Sequence, residues 1–283
     1  MRSTLEEFNK ELEDLQAFLN SIKPVNTALA GHEDSLIRQY LTLRRRFDYA
    51  AFVVALYAAF ETFVENLVSS YARLMASRSP YASLPKSLMR KHMTKSAEIL
   101  FRGRLGEGRY IGISELDVVK NLFDCMSGAD RYTLNTAAIV AHDLNLRHGE
   151  LNSLFQNIGI DNISEQVRCL DPLIAWYCTS NALDTPPPDG VPAVTIEQRI
   201  AGMVDRRNQV AHRGGTEDLL GTAEMEELSG FVRALAHSLF IVTAGHYIHG
   251  QYIDWVRIFS TGLWAKNSRN LIARDLSGSI ARA

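Results

Sequence analysis

Residues 34–78 contain neither proline nor glycine, and this run constrains the fold more than any other feature of the chain. It is rich in Leu, Ala and Arg, residues that lose little on entering a helix. It predicts either one very long helix or two that meet near Arg44 and Asp48. The second half, AAFVVALYAAFETFVENLV, is apolar almost all round, the mark of a helix buried inside a bundle. Its longest apolar stretch, residues 49–60, lies between Asp48 and Glu61 and falls short of the ~20 residues needed to span a bilayer.

The rest of the chain follows the same pattern. Ser3 and Thr4 precede Glu6 and Glu7 in capping-box spacing; Leu5, Phe8, Leu12, Leu15, Leu19 and Ile22 then recur at helical intervals until Pro24 marks a stop. Further helices are expected over residues 86–101, from Ser114 to about Met126, over 134–142, near 150–157, from the Thr195/Gln198 capping box to Gly214 and Gly215, and over 223–252. Gly159 and Ile160 form a C-cap with its hydrophobic contact. The four glycines of GRLGEGRYIG mark a turn-rich loop, and TPPPDGVPAV at 185–194 is the clearest linker. The last twenty residues are small and polar and are expected to fray. The fold class is therefore all-α, a multi-helix bundle.

Composition excludes several function classes. The 283-residue chain is 46% hydrophobic and carries a formal charge of −2, so attraction to nucleic acid has to be local. Cys125, Cys169 and Cys178 are odd in number and lack CxxC spacing, which disfavours a disulfide framework or a structural zinc and fits a reducing cytoplasm. Residues 1–19 carry four glutamates and one aspartate with no apolar core, unlike a signal peptide. Neither a membrane span nor a cofactor is expected.

One helix departs from its own pattern. In TIEQRIAGMVDRRNQVAHRGG, a projection at about 100° per residue places Ile196, Ile200, Met203, Val204, Val210 and Ala211 on one face, with Arg207 at its middle. A guanidinium facing a core is costly unless it meets an anion. The partner is a carboxylate, with Glu61 of the apolar helix the natural candidate, or else a second subunit or a phosphate. Asn208 and His212, four residues apart, share a flank, and Arg199, Arg206 and Arg213 add positive charge. An imidazole, a guanidinium and an amide suit RNA cleavage by the RNA's own 2′-hydroxyl, which needs no metal. Arg207 and His212 lie about 140° apart around one helix, so a two-fold dimer bringing two motif helices together would make a composite site.

Arg207-Asn208-Gln209-Val210-Ala211-His212 resembles the signature of the HEPN superfamily, helical bundles that commonly dimerise and include many metal-independent ribonucleases. LYAAFETFVENLV and HDLNLRHGELNSLFQNIGI also resemble segments of the bacterial HEPN-like nucleases of the MAE group. The resemblance implies catalytic Arg207 and His212 with a supportive Asn208. It implies residues 1–30 as an N-terminal helix, 31–260 as a HEPN-like domain with inserted helices at about 86–185, and 261–283 as a tail. It also implies an RNA substrate, a homodimer, and a protein antitoxin or regulator in toxin–antitoxin or antiviral systems. Glu61, Arg206 and Arg213 are candidate supporting residues. The competing reading is a non-catalytic helical interaction module that keeps the motif as a binding surface.

Other polar groups read more simply. His142, Asn145, Arg147 and His148 are expected to cap helices and hydrogen-bond within a loop, or else to contact RNA. His237, His246 and His249 are expected to be surface or satisfied histidines, the triple Arg44–Arg46 a solvated face, and Phe52, Tyr57, Phe60 and Phe63 core.

Overall fold

A computed structural model describes residues 1–30, 34–103, 105, 110–142, 144–213 and 221–249, apart from the side chains of residues 30, 35, 42, 212, 213 and 249. Among these residues the regular structure is helical, with no strand. The helices are α1 (Arg2–Ala30), α2 (Ser35–Ala76), α3 (Lys86–Phe101), α4 (Glu115–Ser127), α5 (Thr136–Ile139), α6 (His148–Asn157), α7 (Ile163–Val167), α8 (Asp171–Ser180), α9 (Ala193–Arg213) and α10 (Thr222–His249).

The proline-free run forms one helix. Asp34 caps it by accepting a bond from the Leu36 amide at 2.8 Å, and α2 continues for 42 residues, about 63 Å. Its second half is the axis of the bundle: Phe52, Leu56, Phe60, Val64 and Leu67 are wholly buried, against α1, α9 and α10. Phe8 of α1 meets Phe63 at 4.7 Å between ring centroids. α8 rests on α10, α3 joins α4 and α5, and α6 and α7 pack together beside α9. α2 and α10 are long and apolar enough to cross a membrane, but most of each apolar window is buried inside the bundle, as in the core helices of a folded domain.

Several boundaries differ from expectation. α1 runs through Pro24 to Ala30, and Ser3 and Thr4 lie inside it rather than capping it. Pro24 is exposed, so solvent can meet the Asn20 carbonyl it orphans, while Ser21 and Thr27 bond the Phe18 and Lys23 carbonyls on either side. The helix expected over 134–142 shrinks to the single turn of α5, because the chain beyond it turns to cross α2. α7 and α8 were not foreseen at all. α9 starts at Ala193, which puts Thr195 within the helix instead of at its cap.

The expected linker is pinned down. The Val191 amide donates to the Arg168 carbonyl at 2.9 Å, and the Arg168 guanidinium bonds the Asp189 and Val191 carbonyls. Gly190, at φ +77°, passes so close that a Cβ there would stand 2.6 Å from the Arg168 carbonyl oxygen. The 250–283 segment, including the expected tail and its fraying, lies outside the described residues, as does part of the glycine-rich loop.

Candidate functional site

α9 has two halves with different surroundings. Ile196, Ile200, Met203 and Val204 are buried in the core, whereas Val210 is half-buried and Ala211 exposed. The apolar face therefore ends one turn before Arg207, and Ala211 is not the core residue the periodicity suggested. Arg207 sits half-buried on the rim between core and solvent. Its Cζ lies 5.4 Å from the centroid of the Tyr57 ring, and Nη1 donates to Asn208 Oδ1 at 3.1 Å. Asn145 Nδ2 donates to the same oxygen at 3.0 Å, tying the 140–147 segment to α9.

Glu61 does not pair with Arg207: among the described residues no carboxylate lies within ion-pair distance of that guanidinium. The link is indirect. Tyr57 donates its hydroxyl to Glu61 Oε1 at 2.9 Å and accepts from the Leu146 amide at 2.8 Å, while its ring carries Arg207. Burial raises the Tyr57 phenol far above its ordinary range, outweighing the Leu146 bond that opposes it, so the phenol stays a neutral donor. A cation over an aromatic face contributes about 1 kcal/mol at a half-exposed site.

Beside Glu61, His142 lies between α2 and its own loop with its side chain 3% exposed. Its Nε2 is 3.1 Å from Glu65 Oε1 and 3.7 Å from Glu61 Oε1, and Nδ1 meets the Leu144 carbonyl. Both nitrogens therefore meet oxygen atoms, and the ring is held from both ends. Arg147 completes the cluster by ion-pairing Asp205 across to α9.

The motif residues fare differently. Arg207 and Asn208 are joined by the hydrogen bond between them, whereas the helical spacing set Asn208 beside His212; Arg206 is half-buried nearby on the same helix. The backbones of His212 and Arg213 belong to α9, and their side chains lie outside the described residues. Arg199 does not add to the positive charge around Arg207 as expected, for it bonds Glu227 at 2.9 Å and lies over Trp176. His237 and His246 are satisfied by Asn9 and Gln166, and burial lowers the His246 pKa to about 4. The His249 side chain is outside the described residues. No group of three or more metal-binding side chains occurs among the described residues.

Sequence reasoning missed Tyr57, Glu65, His142 and Asn145 as site residues. The available signal was Tyr57, Glu61 and Glu65 at intervals of four, a polar line along an otherwise apolar helix. His142 and Asn145 are expected as a loop's own caps or as RNA contacts, whereas they tie that loop to α2 and α9 respectively.

No curated protein and no solved structure matches the chain. The RiboL-PSP-HEPN family does, over residues 6–244. With that match covering most of its length, and an all-helical bundle carrying the Arg-Asn-x-x-x-His motif at its rim, the chain belongs to the RiboL-PSP-HEPN family of the HEPN superfamily.

Proposed function

We propose that this nuclease-like HEPN domain is a metal-independent endoribonuclease working at Arg207, Asn208 and His212. The supporting observation is Arg207 itself. It is half-buried, fixed by the Tyr57 ring and Asn208, and without a carboxylate partner among the described residues. Only one of the five N–H donors of its fork finds an acceptor there, and such a fork matches the oxygens of a phosphate.

In this reading an RNA 2′-hydroxyl attacks the adjacent phosphorus and loses its proton, and the bond to the 5′-oxygen breaks as that oxygen gains one. The products are a 2′,3′-cyclic phosphate and a 5′-hydroxyl. His212 transfers the protons as general acid and base. Arg207 stabilises the charge that gathers on the non-bridging oxygens, and Asn208 holds Arg207 in position. Arg206, Arg213 and Arg147 supply the local positive potential that a chain of net charge −2 otherwise lacks. Glu61 acts through Tyr57. The biological role that suits such chemistry is a cytoplasmic toxin or antiviral effector restrained by a protein partner.

The test is cleavage of single-stranded RNA by the purified chain in excess EDTA, with product ends identified. Arg207→Ala and His212→Ala each abolish cleavage while leaving the circular dichroism spectrum intact, and expression of the wild type slows growth relative to His212→Ala. Full activity in both variants would place the chemistry elsewhere. No cleavage by the wild type on any RNA tried, together with no growth effect, would favour a binding module.

A further inference from the structure

The Arg207 guanidinium has two holds, and both are fixed to the same short stretch of chain. One is the Tyr57 ring, whose centroid lies 5.4 Å from Cζ; the other is Asn208 Oδ1, 3.1 Å from Nη1. The Tyr57 hydroxyl accepts from the Leu146 amide at 2.8 Å, and Asn208 Oδ1 accepts from Asn145 Nδ2 at 3.0 Å. Consecutive residues thus govern the two holds, Leu146 through its backbone and Asn145 through its side chain. Their own position owes nothing to Arg207. Leu146 is wholly buried, the Arg147 amide donates to the Asn145 carbonyl at 2.7 Å, and the Arg147 guanidinium ion-pairs Asp205 of α9. On the other side His142 meets the Leu144 carbonyl and Glu65 of α2, and Lys91 of α3 donates to the Ala141 carbonyl at 2.8 Å.

Chemistry fixes the direction of this chain of bonds. A guanidinium donates and never accepts, so the Asn208 atom facing Nη1 has to be the oxygen. That oxygen offers two lone pairs; Arg207 takes one, and the Asn145 atom that takes the other has to be its amide nitrogen. Asn208 Nδ2 bonds no acceptor among the described residues, so apart from Arg207 it is Asn145 that decides which way the Asn208 amide faces. Without the Asn145 donor that amide can turn about its last side-chain bond, a soft torsion, and carry its hold on the guanidinium with it.

We propose that Asn145 is a positioning residue: by orienting Asn208 it sets where the Arg207 fork stands, so that a phosphate meets the fork already in place. Its effect on rate rests on the ribonuclease reading; its effect on the guanidinium does not. An arginine on a half-exposed rim has many rotamers, and a donor aimed at developing charge works best when nothing has to rearrange as the charge forms. A bond between residues 63 apart in sequence could serve only to fasten a loop. This one ends on the very oxygen that Arg207 uses, and its neighbour Leu146 fixes the ring that Arg207 lies over.

The experiment compares the intact wild-type chain with Asn145→Ala, Asn145→Asp, Asn208→Ala and the double alanine variant, each checked for fold by circular dichroism. Cleavage of single-stranded RNA in EDTA gives kcat and KM, and nuclear magnetic resonance of the 15N-labelled Arg207 Nε–H reports the motion of the guanidinium. Asn145→Ala lowers kcat on the order of tenfold, shifts KM by less than about twofold, and leaves the pH dependence, which belongs to His212, where it was. Asn145→Asp lowers kcat further, about 10²-fold, because an ionised carboxylate cannot donate to Asn208 Oδ1 and draws the Arg207 cation to itself. In the Asn208→Ala background Asn145→Ala has no further effect, since the relay is already broken. The Arg207 Nε–H, ordered in the wild type, becomes mobile on the nanosecond scale in Asn145→Ala. A bond that served the fold alone would lower the unfolding midpoint and leave both kcat per folded molecule and the Arg207 signal unchanged. That result overturns the proposal, as does additivity of the two alanine substitutions. A wild type that cuts no RNA removes the ribonuclease reading, and the Arg207 signal then decides alone: its release in Asn145→Ala sustains the relay, and no change overturns it.

Discussion

His92 and His142 are both buried histidines with both ring nitrogens engaged, yet their partners are opposite in kind. His92, wholly buried on α3, accepts the Asn135 amide on Nε2 at 3.0 Å and meets the Tyr81 hydroxyl with Nδ1 at 3.2 Å. That hydroxyl also reaches the Met89 carbonyl, while the Asn135 side chain bonds Ser96 and the Val118 carbonyl. Every group is neutral, the ring carries one proton, and burial lowers its pKa to about 4. His142 instead faces Glu61, Glu65 and a carbonyl, all acceptors. The first cluster is closed and locks α3 to α4 and α5. The second is lined by the carboxylates of Glu61 and Glu65, and ends at Arg207 with donors to spare. A closed network serves the fold; one with spare donors at its edge is, on the proposed reading, where a phosphate is received.

The largest expected effect breaks this comparison at Arg207. Arg207→Lys keeps the charge but loses the planar fork, and the cleavage rate should fall 10²–10³-fold, with stability within about 0.5 kcal/mol of wild type. Initial rates and urea unfolding measure the two. A comparable loss of stability would make Arg207 a structural residue like His92.

Next comes the closed cluster. The unfolded chain protonates His92 near its ordinary value of 6.5, the native chain only near 4, so protonation favours unfolding. The contribution of the neutral ring is fully present above pH 6.5 and is lost as the pH falls towards 4, up to about 3 kcal/mol. His246, lowered to about 4, and His237, also lowered, act with the same sign. His92→Gln should cost about 2 kcal/mol at pH 7 by orphaning buried partners, and should flatten the acid limb of stability against pH. Its cleavage rate per folded molecule should stay unchanged.

The two clusters were not equally legible in the sequence. α2 and the C-cap at Gly159 and Ile160 could be read because local chemistry decides them: no breakers in one, a left-handed glycine in the other. Arg207 stood out because a cation interrupted an apolar period. Pro24 misled because a helix held along one side by packing tolerates a proline on its wet side. α7 and α8 escaped because five- and ten-residue helices gain their stability from burial, not propensity. His142 and Asn145 lie far in sequence from the helices they join, and no local pattern encodes that.

Tyr57→Phe sharpens the contrast with a smaller effect. The ring still carries Arg207, but Glu61 loses its donor and the Leu146 amide its acceptor. A loss of about 1–2 kcal/mol is expected by thermal or urea unfolding. If Glu61 acts through Tyr57, the cleavage rate should also fall about tenfold. Lost stability with an unchanged rate would return Tyr57 to the core.

The smallest effect is expected at Arg147, whose bond to Asp205 is half-exposed on both sides. An ion pair so open to water contributes between 0 and about 1 kcal/mol, so Arg147→Gln should leave unfolding almost unchanged. What it removes is one positive charge beside Asn145 and Asn208 and, on the nuclease reading, one weak contact to the phosphate backbone. KM for RNA should rise about twofold to threefold at low salt and less at high salt, where the contact is already screened, with kcat unaffected. A fall in kcat instead would move Arg147 from the rim of the site to its centre, and Arg207 would no longer be the single cation on which the transition state depends.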